Sequence, residues 1–232
     1  MGVEHLTGGL YRLLLGRFQA YLWRDADAVT LVDTGAADAG GAIATALDEI
    51  GLAPQDVNRV VITHFHDDHA GAAAEIRDWG GVEIVAHKSD APILRGDVPG
   101  PAPNLSDDER PMHAQATAGL PPAPPVTIDR EVLDGSVLDF GGGAHVLAVP
   151  GHTDGSIALH LPEHGVLLTG DAVAEHLGRV VLGVFNVDTK RAARSMQRLA
   201  GLDIEVAAFG HGEPALHSAG ERLRQAVEAL DL

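Results

Sequence analysis

Along this chain, short runs of apolar residues with strand-like spacing alternate with stretches in which apolar residues recur at helical spacing. Leu10 to Leu15, Phe18 to Trp23 and Ala28 to Val32 read as three strands, the first two joined by a Gly16-Arg17 turn. From Ala36 to Ile50, Ile43, Leu47 and Ile50 fall on one helical side, and Gly51 supplies a stop. Val60-Val61-Ile62 is a buried strand, Ala70 to Trp79 a covering helix with Ile76 and Trp79 on one side, and Val82 to Ala86 the next strand. The second half follows the same plan. Strands occupy residues 132 to 168, and a helix near Thr189 to Ala200 carries Ala193, Met196 and Ala200 as a stripe. Ile204 to Phe209 is a strand, and Leu216, Leu223, Val227 and Leu230 mark a final helix. Sheets flanked by helices on both outer sides predict an α/β fold in four layers, αβ/βα, forming one domain over residues 1–232.

The pattern lapses between about residues 88 and 131, because nine of the chain's 13 prolines lie from Pro92 to Pro125. A regular sheet cannot absorb them. Ser106-Asp107-Asp108-Glu109 matches a capping box and predicts a short helix through about Ala118. An irregular segment this long inside a domain is usually functional, so the expectation is a partly helical lid that shapes substrate choice.

Chemistry concentrates directly after the Val60-Val61-Ile62 strand, where His64-Phe65-His66-Asp67-Asp68-His69 packs three imidazoles and two carboxylates into six residues. Imidazole and carboxylate suit Zn²⁺, Mn²⁺ or Fe²⁺, and the end of a strand is a rigid platform for them. Three later strand-like runs end the same way, on a glycine followed by a ligand-type residue: Gly151-His152, Gly170-Asp171 and Gly210-His211. Glycine lets the backbone turn sharply and approach an ion closely. Four strand ends aimed at one edge would assemble seven ligands.

In these residues the chain resembles the metallo-β-lactamase superfamily, in its glyoxalase II-like binuclear branch. The resemblance implies one ion held by His64, His66 and His152, a second held by Asp68, His69 and His211, and Asp171 bridging both. It implies that Asp33 supports the His64 loop from behind and that Thr63 helps to orient it. The four-layer sandwich is also that family's fold. Two ions at such a site, Zn²⁺ first, would bridge a hydroxide that attacks a small ester, thioester or lactone carbonyl. Asp68 and Asp171 are then the catalytic carboxylates, orienting the hydroxide, with Asp68 passing a proton to the leaving group. His176 is a candidate substrate contact. The chain departs from named branches of the family after Asp171, where Ala172-Val173-Ala174-Glu175-His176 stands in place of the Gly-Cys-Gly-Arg of glutathione-directed members. Ala174 also replaces the tyrosine of quorum-signal lactonases. Two other classes stay open: an iron dioxygenase holding a single Fe²⁺ on His64, His152 and Asp171, and a non-catalytic metal-binding protein.

Composition narrows the partners. A formal charge of −17 makes the surface acidic, which repels nucleic acid and anionic membrane. No run approaches the roughly 20 apolar residues of a membrane span. The absence of cysteine removes thiolate ligands and cysteine nucleophiles. With no signal-peptide pattern at the start, the expectation is a cytoplasmic protein, with a homodimer left open and a small acyl compound as its substrate.

Overall fold

Seven strands form the first sheet in chain order: β1 (Gly2–Thr7), β2 (Leu10–Leu15), β3 (Phe18–Arg24), β4 (Val29–Val32), β5 (Val57–Ile62), β6 (Glu83–His87) and β7 (Arg130–Val132). The computed structural model describes residues 2–230, so Met1 and residues 231–232 of the predicted domain lie outside it. Pairing is antiparallel from β1 to β4 and parallel from β4 to β7. The second sheet holds β8 (Val137–Leu138), β9 (Ala144–Ala148), β10 (Ile157–Leu161) and β11 (Val166–Leu168). After the separate hairpin of β12 (Val173–His176) and β13 (Arg179–Leu182), β14 (Val206–Ala208) completes that sheet in the order β14-β11-β10-β9-β8.

Side-chain alternation along the strands explains the layers. Val60 and Ile62 point into one apolar cluster with Ile43 and Leu47 of α1 (Gly40–Glu49), while Val61 between them joins a cluster shared with the second sheet. The second sheet behaves likewise. Val166 and Leu168 face the first sheet, and Leu167 packs with Met196, Leu199 and Leu223 on the far side. Each sheet therefore buries both faces, one against the other and one against helices, which is the predicted αβ/βα sandwich.

The remaining helices are α2 (Asp67–Ala70), α3 (Ala73–Arg77), α4 (Ala91–Leu94), α5 (Glu109–Thr117), α6 (Thr189–Ala200) and α7 (Ala219–Glu228). Several differ from the sequence expectation for local reasons. Helix α1 starts four residues after Ala36 because Asp38 is left-handed, at φ 71°, which no helix accepts. The helix expected from Ala70 to Trp79 begins earlier, at Asp67, and is split at Gly71–Ala72. A side chain at Gly71 would collide with the Ala36–Ala37 backbone, so the split follows close packing. Leu216 precedes α7 and is 38% exposed, so it does not belong to the buried stripe that Leu223 heads. The edge strand β1, with Glu4 and His5 exposed, and the β12–β13 hairpin are both additions to the expected elements.

The Pro-rich segment is not uniform. Ala91 and Leu94 of α4 are buried, as is Val126, so its two ends belong to the core. Its final residues enter β7. Between them, α5 has no buried residue.

Candidate metal centre

Strand direction brings the ligand-type residues to one edge. Strands β9 and β11 both run antiparallel to β10, so they point the same way, and β14 is parallel to β11. Their C-terminal ends carry His152, Asp171 and His211. The end of β5 meets them through a hydrogen bond from Ile157 N to Thr63 O at 2.9 Å, and Gly210 N donates to Gly170 O at 2.9 Å. The seven predicted residues, His64, His66, Asp68, His69, His152, Asp171 and His211, thus meet where the two sheets abut. Three triads have ligand atoms lying within 4.8 Å of one another: His64, His66, His152; His64, His69, Asp171; and Asp68, His69, His211.

The first triad is three ring nitrogens aimed at one point, with His66 Nδ1 3.1 Å from His64 Nε2 and 2.9 Å from His152 Nε2. Each outer ring has its other nitrogen occupied. His152 Nδ1–H donates to Val184 O at 3.0 Å. Thr63 Oγ1 donates to Asp33 Oδ2 at 2.7 Å, so it accepts from His64 Nδ1–H at 3.0 Å. Both Nε2 atoms therefore present lone pairs, and the single Nδ1 of His66 can donate to only one of them. Burial pushes His64 well below the usual imidazole range, lowers His152, and with His152 nearby takes His66 to about 3. Three neutral imidazoles with converging lone pairs suit a divalent cation.

The second triad brings in carboxylate chemistry. Asp68 Oδ2 lies 3.3 Å from His211 Nε2, and Asp171 reaches both triads, 3.3 Å from His211 Nε2 and 3.6 Å from His152 Nε2. Burial opposes ionisation of Asp171, but His211 and His69 hold it well below the carboxylate range. Asp68 is likewise drawn down to about 2, burial being outweighed by His69 and His211. Asp171 lifts His211 to about 10. His69 rises against its burial because Asp171, Asp68 and Asp33 surround it. His69 Nε2 and Asp171 Oδ1 are 3.3 Å apart, buried, and without a hydrogen-bond partner. Orphaned polar atoms this deep carry a desolvation cost that a bound cation would remove, so the donor set fits metal ions.

Residues predicted to act from behind are in place. Asp33 Oδ1 accepts from Thr63 N at 2.7 Å, and Oδ2 faces Thr63 Oγ1 and His69 Nδ1. Asp33 itself is left-handed at φ 63°, a conformation that Asp tolerates better than most residues. Gly210 has a steric requirement: a side chain there would strike Asp171 Oδ1 and His69 Cε1.

Two supporting groups escaped the sequence reading. Asp90, 1% exposed, accepts from Phe65 N at 3.1 Å, Thr153 Oγ1 at 2.8 Å and Gly155 N at 2.8 Å, so it ties the His64 loop to the His152 loop. Burial pushes it up to about 6 against those three hydrogen bonds. The other is a network from β2 and β3. Tyr21 is 4% exposed, and its hydroxyl donates to Phe209 O at 2.7 Å. Gln19 Nε2 donates to Phe209 O at 2.8 Å and Gly212 O at 3.0 Å, and Arg12 holds Gln19 and Glu213. The backbone on both sides of His211 is thereby fixed. Neither carried a usable sequence signal, Asp90 following the polar His87-Lys88-Ser89 and Arg12 standing alone in a strand.

A cleft of about 990 Å³ opens over His66, Asp68, His152, Asp171 and His211. His176, exposed at the end of β12, lines it, and residues of the Pro-rich segment form one wall.

The sequence profile of the metallo-beta-lactamase superfamily matches residues 19–211. The chain is 31% identical over 201 residues to a probable metallo-hydrolase, YflN, of Bacillus subtilis, spanning 79% of this chain and 75% of that one. It is 37% identical over 117 residues to an acyl-coenzyme A thioesterase, MBLAC2, of Gallus gallus, spanning 49% of this chain and 40% of that one. Among solved structures, a metallo-beta-lactamase family protein of Thermus thermophilus, TTHA1429, superposes with a TM-score of 0.72 at 31% identity, covering 97% of this chain and 78% of that one.

Proposed function

The chain belongs to the metallo-β-lactamase superfamily, and from that membership we propose that it is a hydrolase that uses two divalent cations, zinc first, to cleave a thioester, ester or lactone. The observation that carries the proposal is the pair of buried, unpartnered atoms His69 Nε2 and Asp171 Oδ1 beside the converging nitrogens of His64, His66 and His152, where His66, His152 and Asp171 line one cleft. His64, His66 and His152 would hold one ion, Asp68, His69 and His211 the other, and Asp171 would serve both. When bound, the ions supply Lewis acidity, polarising the substrate carbonyl and lowering the pKa of water to near neutrality.

The chain's own residues do the rest. Asp171 and Asp68 stay ionised across the neutral range and orient the attacking water. As the new carbon–oxygen bond forms and the bond to sulfur or alkoxide oxygen breaks, Asp68 takes the water proton and passes it to the leaving group. His176 contacts the substrate from the cleft wall, and residues 99 to 125 act as the lid that selects it. The thioesterase relative favours thioesters among the three ester types. The acidic surface favours small-molecule substrates over nucleic acid or membrane.

Metal content of protein purified without added metal, followed by a panel of thioesters and lactones, tests this reading. About two zinc per chain, turnover, and its loss in His66→Ala and Asp171→Ala with unchanged circular dichroism would bear it out. About one iron per chain with oxygen uptake on a persulfide would replace it with dioxygenase chemistry.

A further inference from the structure

Above the ligand-type residues the cleft is larger than a small ester requires. Its volume of about 990 Å³ lies at the top of the ~300–1,000 Å³ usual for small-molecule sites. The geometry points to a track for a long apolar acyl chain, running from the His152 and His211 floor between the α5 segment and the β12–β13 hairpin. This rests on the acyl-hydrolase reading above.

Apolar side chains from two parts of the chain line the cleft. One carries Met112, Ala116 and Leu120; the other carries Val181, Leu182 and Val184. Met112 and Ala116 stand four residues apart on α5 and so share a face of that helix. Met112 is 52% and Val184 41% exposed. Large apolar side chains left open along one cleft mark a surface meant to be covered. Their continuity with the lone pairs of His152 and the carboxylate of Asp171 argues for the substrate's own tail as the cover, since its reacting end then lies at the floor.

The wall is also held in place beforehand. Glu109 Oε1 accepts from Phe185 N at 3.2 Å, Asn104 N donates to Asn186 O at 2.9 Å, and Ala123 N donates to Asp67 Oδ1 at 2.7 Å. A track built this way loses little order when a chain enters it.

The test is a series of acyl N-acetylcysteamine thioesters, from acetyl to dodecanoyl, turned over by metal-loaded protein, with calorimetric binding of dodecanoate to metal-free protein alongside. The expected result is kcat/KM rising about two- to fourfold per methylene until the track is full, as burial of each group predicts. Met112→Glu and Ala116→Glu, both at exposed positions, flatten that slope and weaken dodecanoate binding. Turnover without chain-length dependence, or a slope untouched by both variants, overturns the track and leaves the hydrolase reading standing. Dodecanoate binding that Met112→Glu weakens, with no thioester or lactone turned over, supports the track and overturns the hydrolase reading. Neither binding nor turnover overturns both.

Discussion

Asp33 Oδ2 accepts a hydrogen bond from His69 Nδ1 at 2.8 Å, and the same oxygen takes the Thr63 hydroxyl that in turn accepts from His64. One buried carboxylate therefore sets which nitrogen carries the proton on a ligand-type histidine in each triad. In Asp33→Asn, either orientation of the amide turns its NH₂ toward a donor, Thr63 N or His69 Nδ1. We expect metal affinity to fall about 10- to 100-fold at both triads, as loss of such a partner typically does. Competition with a chromophoric chelator reads the loss, and unchanged affinity at either triad would contradict the shared role.

The two triads differ in how many protons a cation must displace. His64, His66 and His152 are neutral at pH 7, whereas His69 and His211 are protonated, His211 up to about 10. The neutral triad therefore fills first with little proton release, and the second ion expels protons, so its affinity rises with pH. Calorimetry in buffers of different ionisation enthalpy separates the steps; equal release at both would refute the ordering. In metal-free protein the raised His211 contributes stability that is complete below its unfolded value near 6.5 and is lost as pH climbs through about 10.

Gly210→Ala should weaken the second triad more than the first. The added methyl meets Asp171 Oδ1 and His69 Cε1 and leaves His64, His66 and His152 untouched. Elemental analysis should give a stoichiometry near one ion instead of two, with the fold retained by circular dichroism. Two ions bound normally would show that the loop yields more than its hydrogen bonds suggest.

Asp90 supplies a separate pH dependence. Its folded value, about 6, lies above the usual carboxylate value, so its contribution to stability is complete below about 4 and declines as pH rises through 6. Asp90→Asn cannot titrate, and metal-free wild type should lose about 2 kcal/mol relative to it between pH 4 and 7. Denaturant midpoints at the two pH values measure this directly; parallel curves would remove the titration.

How legible each feature was in the sequence depended on how far its partners lie along the chain. The ligand-type residues were visible because each sits a residue or two past an apolar run or directly after a glycine, a pattern contained in a few positions. The layers were visible because Val60, Val61 and Ile62 alternate between two cores. Asp90 could not be seen, since its role depends on Phe65, Thr153 and Gly155, which only folding brings to it. Arg12, Gln19 and Tyr21 were hidden for the same reason, their partners lying around His211. The late start of α1 and the split between α2 and α3 followed from the backbone at Asp38 and from packing at Gly71, neither of which apolar spacing encodes.

The seam between the sheets has a consequence for the molecule's lifetime. His64, His66, Asp68 and His69 follow a strand of one sheet, while His152, Asp171 and His211 follow strands of the other, so any ion shared among them fastens the two halves. Free metal at 1,000 times its dissociation constant would add about 4 kcal/mol per site to the folded state. Scarcity withdraws the same amount and leaves two buried carboxylates facing protonated histidines. The supply of that metal would then govern how long each copy resists proteolysis as well as how fast it works.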